Sequence, residues 1–319
     1  MLGKRSASPC YTIYSGGDYI KPRDILLEDY QIIQQKIDEF QVENSKLAFA
    51  NLYSYRFLHY PKICLLDDAL VVFCTADAAN PCVFPPLCDE KALPRVMKEI
   101  SDYFDTVLGS RVHIRDCDEA FIRRLSEAGF SFVRNERRDQ WEYIYSSKKL
   151  SELKGRSFHK RRNRINKLLS TFPDYEYVRI KASDRERVLK FHDYWCHLRD
   201  CESNETLEQE RDSIITLFEI MDTVPVYGGL ILIDGEVKGF QIGTRLNRNT
   251  YVTLVEKAEL APEYDGIYAL LIRDTATDIC NEFEYINRQQ DMGVPGLRKA
   301  KLAWKPDRLL VCDLLVLEG

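Results

Sequence analysis

Val226-Tyr227-Gly228-Gly229-Leu230-Ile231-Leu232-Ile233-Asp234-Gly235-Glu236-Val237-Lys238-Gly239-Phe240-Gln241-Ile242-Gly243-Thr244-Arg245-Leu246-Asn247-Arg248-Asn249-Thr250-Tyr251-Val252-Thr253-Leu254-Val255 reads as a three-stranded antiparallel meander. Its strands are Val226 to Ile233, Val237 to Arg245 and Tyr251 to Val255, all rich in β-branched and aromatic residues. Asp234-Gly235 and Asn247-Arg248-Asn249 are the residues that tight hairpin turns favour. Downstream, Tyr264 to Asn281 has helical character, Phe283 to Ile286 is strand-like, and Leu309 to Leu317 supplies a last strand. Upstream lie a basic amphipathic helix, Lys148 to Leu169, a strand, Tyr175 to Ile180, and helices at Asp184 to Leu198 and Leu207 to Met221.

The residues before Ser147 follow a similar scheme. Helices are expected at Pro22 to Phe40 and Leu47 to Phe57. A hairpin, Lys62 to Leu66 and Leu70 to Thr75, turns at Asp67-Asp68. Then come a helix at Glu90 to Leu108, a strand at Arg111 to Arg115, a helix at Glu119 to Ala128 and a closing strand at Glu142 to Tyr145. The chain therefore reads as α/β with mixed sheets and much antiparallel pairing. Two tandem halves are expected, 19–147 and 148–319, after a tail of residues 1–18, with the presumed cleft in the second half. A length of 319 residues suits two domains of ordinary size.

A composition 45% hydrophobic and 30% charged fits a soluble globular protein. No apolar run approaches the ~20 residues that span a bilayer. Lys4-Arg5 is followed by no apolar segment, so no secretory signal is read and a cytoplasmic address is expected. The net charge of −5 argues against a protein that coats nucleic acid, while leaving room for a local phosphate-binding patch. The ten cysteines form no C-x-x-C pair, and thiols are expected. His192/Cys196 and His197/Cys201 are each spaced by four, but on different helical faces, so no single metal site is expected.

The residues that carry chemistry cluster after the strand at Phe283 to Ile286. Asn287-Arg288-Gln289-Gln290-Asp291-Met292-Gly293-Val294-Pro295-Gly296-Leu297-Arg298-Lys299-Ala300-Lys301-Leu302 packs amide, carboxylate and cationic groups around Gly293, Pro295 and Gly296. Such a bend directly after a strand is where binding residues tend to sit; the plain alternative is a solvated turn and a charged helix start. Asp291 and Glu256 are candidates for proton handling and Asn287 for orienting the reacting groups, with Gln289 and Gln290 beside it. Arg288, Arg298, Lys299 and Lys301 would hold a phosphate or carboxylate, whereas Asp291 has the alternative of capping the next helix. The basic helix carries nine Lys or Arg and one acid between Lys148 and Lys167. Phe158, Ile165, Leu168 and Leu169 form its buried stripe, which leaves Lys160, Arg161, Asn163, Arg164 and Lys167 outward as a phosphate cradle or a solvated face.

These motifs, with Glu43-x-Ser45-x-x-x-Phe49-x-Asn51-Leu52-Tyr53-x-x-Arg56 and Leu153-Lys154-Gly155-Arg156-x-Phe158-His159-Lys160-Arg161-Arg162-Asn163, resemble a bacterial family related to the C-terminal domain of phosphatidylglycerol lysyltransferases. The resemblance covers nearly the whole chain after Asp18. It implies two tandem N-acetyltransferase-like domains, as in the Fem-type peptidoglycan aminoacyltransferases. The order of meander, strand, helix and strand agrees with that fold. The lysyltransferases carry a membrane-embedded N-terminal region that is not expected here. Acetyl-CoA users of this fold cradle a diphosphate in a Gly-rich loop at a helix N-terminus. The matching place, Pro262 to Leu270, keeps only Gly266 and puts Tyr268 where a second glycine would be expected. The resemblance thus implies transfer of an aminoacyl group from aminoacyl-tRNA, or of another acyl group, to an amine or hydroxyl of a lipid headgroup or cell-envelope precursor. Acyl-CoA-dependent transfer and non-catalytic binding of a phosphorylated ligand are the alternatives.

Overall fold

The computed structural model describes residues 20–75, 80–198 and 205–318. Its strands are β1 (Arg23–Asp24), β2 (Pro61–Leu66), β3 (Ala69–Cys74), β4 (Cys82–Val83), β5 (His113–Cys117), β6 (Phe132–Asn135), β7 (Glu142–Ser146), β8 (Glu176–Arg179), β9 (Val226–Ile233), β10 (Glu236–Arg245), β11 (Thr250–Ala258), β12 (Tyr285–Gln290), β13 (Arg308–Leu310) and β14 (Asp313–Leu317). The helices are α1 (Tyr30–Glu39), α2 (Phe49–Ser54), α3 (Arg56–His59), α4 (Leu93–Tyr103), α5 (Glu119–Glu127), α6 (Ser147–Glu152), α7 (His159–Thr171), α8 (Arg185–Leu198), α9 (Glu205–Glu219), α10 (Ile267–Ile279) and α11 (Pro295–Ala303).

Two mixed sheets form. The first runs β1-β2-β3-β4-β5-β14-β6 and the second β13-β7-β12-β11-β10-β9-β8. The expected meander is β9-β10-β11, and the hairpin at Asp67-Asp68 is β2-β3. Strand membership crosses the Ser147 boundary in both directions. β7, read as closing the first half, pairs with β12 and β13 in the second sheet. The run read as one strand, Leu309 to Leu317, breaks at Val311-Cys312; β13 stays in the second sheet and β14 inserts between β5 and β6 of the first. Side-chain alternation reports that a segment is a strand but not which neighbour it pairs with, so this exchange is invisible to periodicity.

Packing also joins the halves. Ile33, Ile37 and Phe49 from α1 and α2 share one buried cluster with Ile214 and Leu217 of α9 and Phe240 and Val252 of the second sheet. The other face of the second sheet is covered by Leu150, Phe158, Ile165 and Leu270 of the α6, α7 and α10 regions. The first sheet packs on Val96, Met97 and Ile100 of α4 and Leu125 of α5.

Three helices differ from expectation, and of these Leu47 to Phe57 is α2 and α3, parted at Tyr55. Pro22 to Phe40 begins as β1, and α1 starts only at Tyr30. Lys148 to Leu169 is two helices, because Leu153 and Gly155 take φ of 47° and 90°, a left-handed backbone that stops α6.

At the centre, Glu142 of β7 is fully buried. Ser45 N–H donates to Oε2 at 2.9 Å, Ser45 Oγ to Oε1 at 2.5 Å, and Asn287 Nδ2 to Oε2 at 2.5 Å. One carboxylate therefore ties the loop before α2 to β7 and β12, and burial raises its pKa against these hydrogen bonds. Glu142→Leu would leave the Ser45 and Asn287 donors buried without partners. It is expected to cost roughly 3 kcal/mol or more, read as a lower urea midpoint; an unchanged midpoint would show that water takes over those donors.

Candidate active site

The cleft opens where β11 and β12 part. The two strands pair in parallel from Thr250↔Tyr285 to Val252↔Asn287 and no further. Beyond that point β12 shifts register against β7 between Asn287 and Gln290, and Gln289 takes a φ of 57°. This is a bulge, and a bulge re-aims side chains. Asn287 Oδ1 holds it by accepting from Gln289 N–H at 2.8 Å, while Gln289 Nε2 donates across the gap to Thr253 O at 2.8 Å.

A cavity of about 930 Å³ fills the space between the halves. Glu256, Tyr268, Arg288, Gln289, Gln290 and Lys301 line it from the second half. Lys46, Tyr55, His59, Arg115 and Gln140 face them from the first. The wall from the first half was missed as chemistry by sequence reading. Its only signal was the Glu43 to Arg56 motif, which brackets Lys46, Asn51 and Tyr55.

Across the splay, Arg288 Nη2 donates to Glu256 Oε1 at 2.7 Å. The side chains are 11% and 12% exposed. Arg288 Nε and Nη1 and Glu256 Oε2 are buried and have no hydrogen-bond partner among the described residues; nor has Gln290 Oε1. The Arg288 guanidinium also lies 5.8 Å from the ring centres of Tyr145 and Trp304. Aromatic walls and one carboxylate fix the plane of the guanidinium, and Nε and Nη1 are left buried beside the cleft without a hydrogen-bond partner.

Lys301, on the cleft-facing side of α11, is 8% exposed. Its Nζ donates to the carbonyls of Arg288 at 2.7 Å, Gln289 at 3.2 Å and Gln290. It caps the bulge and so positions Arg288. Burial, then repulsion from Arg288, pushes this ammonium down to about 7. The folded value lies below the ordinary 10.5, so between the two the unfolded chain binds a proton that the folded chain does not. Stability should therefore rise with pH across this window, by up to about 1.4 kcal/mol per pH unit. Lys301→Met should flatten that slope in urea titrations between pH 7 and 10. An identical slope would mean that Lys301 keeps its proton throughout.

Asp291 lies outside the cleft lining, fully buried. It accepts from Arg298 Nε at 2.7 Å and Nη2 at 3.0 Å, Tyr143 Oη at 2.6 Å, Arg138 Nη1 at 3.3 Å and Gly293 N–H at 2.9 Å. Burial opposes its charge, but the hydrogen bonds from Arg298 and Tyr143 and from the Gly293 backbone hold the carboxyl well below the usual range. Both oxygens are occupied. The group is an anchor for the turn into α11, which departs from the expectation of a proton carrier. Asn287 is likewise consumed by Glu142, the Glu43 carbonyl at 3.0 Å and Gln289 N–H.

The remaining sequence candidates fall elsewhere. Gly293, Arg298 and Lys299 line a shallow groove on the outer side of α11. Gly296 is exposed. On α7, the Arg161 guanidinium stacks 4.1 Å from the Trp304 ring, at the edge of the cleft, and burial and Arg288 lower its pKa. Lys160 and Arg164 are exposed on the same helix. Gly266, at the N-terminus of α10, has a φ of 111°, and a Cβ there would meet the Arg164 carbonyl at 2.8 Å. The α7 backbone thus passes close to one side of this helix end. His192 is buried, with Nε2 3.2 Å from Glu210 Oε1 and Cys196 Sγ 3.7 Å away. His197 is exposed, and Cys201, like the tail of residues 1–18, lies outside the described residues.

Several solved structures share this architecture. A conserved protein of unknown function from Bacteroides thetaiotaomicron is 29% identical, covering 94% of this chain and 100% of its own, with a TM-score of 0.88. L-PGS from Bacillus licheniformis is 14% identical over 90% of this chain and 91% of its own, at a TM-score of 0.62. FemX is 9% identical over 93% of this chain and 97% of its own, at a TM-score of 0.65. At those identities the last two speak for the fold alone, a mixed α+β architecture with two mixed sheets. No helix among the described residues is long and apolar enough to cross a membrane. Residues 38–311 match the family described as "Phosphatidylglycerol lysyltransferase, C-terminal", and the chain belongs to that family.

Proposed function

We propose that the cleft transfers an aminoacyl group from the 3′ end of an aminoacyl-tRNA to a hydroxyl or amine of a lipid headgroup or cell-envelope precursor. One observation carries the reading: Arg288 offers two unpartnered N–H donors and Glu256 one unpartnered carboxylate oxygen across the β11–β12 splay. An aminoacyl ester complements both, with a carbonyl oxygen that accepts and an α-ammonium that donates. An acetyl thioester has no ammonium and would leave Glu256 Oε2 bare. Tyr268 in place of a second glycine, with α7 close against Gly266, also speaks against an acyl-CoA donor.

In this reading Arg288 Nε and Nη1 hold the oxyanion as the acceptor attacks the ester carbonyl. Glu256 Oε2 holds the α-ammonium, and Lys301 positions Arg288 through the bulge carbonyls. The exchange is proton-neutral for a hydroxyl acceptor: its proton ends on the ribose oxygen as the C–O bond to the tRNA breaks. The exposed cations of α7 would run along the RNA backbone. The family's name describes lysyl transfer to phosphatidylglycerol, which makes a lipid hydroxyl the first acceptor to try. The test is to incubate the protein with tRNA carrying radiolabelled amino acids and with lipid and precursor extracts. Ribonuclease-resistant label in an acceptor is the expected result; label that moves only from acyl-CoA would refute the reading.

A further inference from the structure

β3 and β4 bring two thiols opposite each other. Cys74, the last residue of β3, is the register partner of Cys82, the first residue of β4. In the same register Phe84 N–H donates to Val72 O at 2.9 Å. Cys74↔Cys82 is therefore a hydrogen-bonded cross-strand pair, with Cα atoms about 5.5 Å apart. That spacing lies well inside the range that a disulfide spans, so closing one needs no shift of the backbone. Both residues are free thiols. Cys82 Sγ donates to the Cys74 carbonyl at 3.9 Å, and the two side chains share a hydrogen bond. Among the described residues no other two cysteines are strand partners. Cys82 is half-buried and lines a cavity of about 360 Å³ together with Arg115 and Arg137. Cys74 is 6% exposed and lines the main cleft. Arg115, which donates to Asp116 at 2.7 Å, lines both cavities. The hydrogen bond with Cys74, and then Arg115, lower the pKa of the Cys82 thiol against burial. A partly exposed cysteine beside a cation is the setting in which the thiolate reacts.

We propose that Cys74 and Cys82 form a thiol–disulfide exchange site whose co-reactant is a low-molecular-weight disulfide. The Cys82 sulfur attacks one sulfur of the small disulfide, whose S–S bond breaks and releases one thiol. Cys74 then attacks the Cys82 sulfur and expels the second thiol, and the Cys74–Cys82 bond forms. Two electrons pass to the small disulfide, and the two protein thiol protons leave on its two thiols. A nucleophilic cysteine with a resolving cysteine beside it is the arrangement of a redox sensor, as distinct from a permanent staple. Cys74 and Arg115 both line the cleft, so oxidation would alter its wall and with it the rate of transfer. That consequence rests on the proposed function, but the exchange itself is measured without turnover, so either can fail alone.

The experiment exposes the folded native chain to buffers with a rising ratio of oxidised to reduced glutathione, blocks the remaining thiols with an alkylating agent and maps the peptides. A Cys74–Cys82 cross-link is expected, with loss of both thiols together, and dithiothreitol should restore them. Cys74→Ser should stop the reaction at glutathione bound to Cys82, whereas Cys82→Ser should leave Cys74 unmodified. Serine is close to cysteine in size, and a thermal melt shows whether each variant is folded; the peptide map of the native chain decides the matter without them. Cys74 and Cys82 still alkylated as thiols at the highest ratio would overturn the inference. So would glutathione that stays on Cys82 of the native chain, which would mark a lone reactive thiol, or a cross-link that forms only in urea.

Discussion

Arg288→Lys is expected to lower kcat/KM for aminoacyl transfer by about 10²–10³-fold. The substitution keeps a cation beside Glu256, so the buried carboxylate is not stranded and the fold should hold. What it removes is the planar fork. In the native protein Arg288 Nη2 is committed to Glu256, while Nε and Nη1 have no hydrogen-bond partner and are assigned to the oxyanion in the proposed reaction. A lysine has a single nitrogen at the end of a flexible stem and cannot serve the carboxylate and an oxyanion at fixed angles. The check is single-turnover transfer from labelled aminoacyl-tRNA, with a thermal melt alongside. A variant that folds and transfers at the native rate would take Arg288 out of the chemistry.

Asp291→Ala should instead act on the fold, costing about 3–5 kcal/mol, as removal of one partner from a buried ion pair does. The carboxylate is the common acceptor for Arg298, Arg138, Tyr143 and Gly293 N–H. Its loss strands a buried phenol and frees the turn that carries β12 into α11. Asp291→Asn keeps the shape and tests the charge. Because the folded pKa lies below the ordinary carboxyl value, the contribution is complete above about pH 4 and disappears as the pH falls toward the folded value. Urea midpoints at pH 7 and pH 3 should differ less for Asp291→Asn than for the native chain. If Asp291→Ala were as stable as the native protein yet inactive, Asp291 would be chemical after all.

The meander and most helices were legible because their apolar residues repeat at strand or helix period. Leu153 and Gly155 broke the basic helix through left-handed backbone, which an average over apolar positions does not register. The exchange of β7 and β14 between sheets depends on long-range pairing that leaves no local mark. For the site, the polar run from Asn287 to Lys301 was read as following a strand that ends at Ile286, whereas β12 continues through Gln290, and the members of the run divide by direction. Arg288, Gln289, Gln290 and Lys301 face inward, Asp291 and Asn287 hold the backbone, and Arg298 and Lys299 face outward. The bulge at Gln289 sets these directions, and nothing in the residue types announces it.

The most direct measurement is calorimetric titration with two adenosine analogues, one carrying an aminoacyl amide at the 3′ position and one carrying the same side chain without the α-amino group. The α-ammonium is expected to tighten binding by about tenfold or more, the worth of a charged hydrogen bond to Glu256 Oε2. Glu256→Gln should abolish most of that difference. Equal affinity for the two analogues, or a preference that survives Glu256→Gln, would contradict the assignment of the cleft to an aminoacyl group.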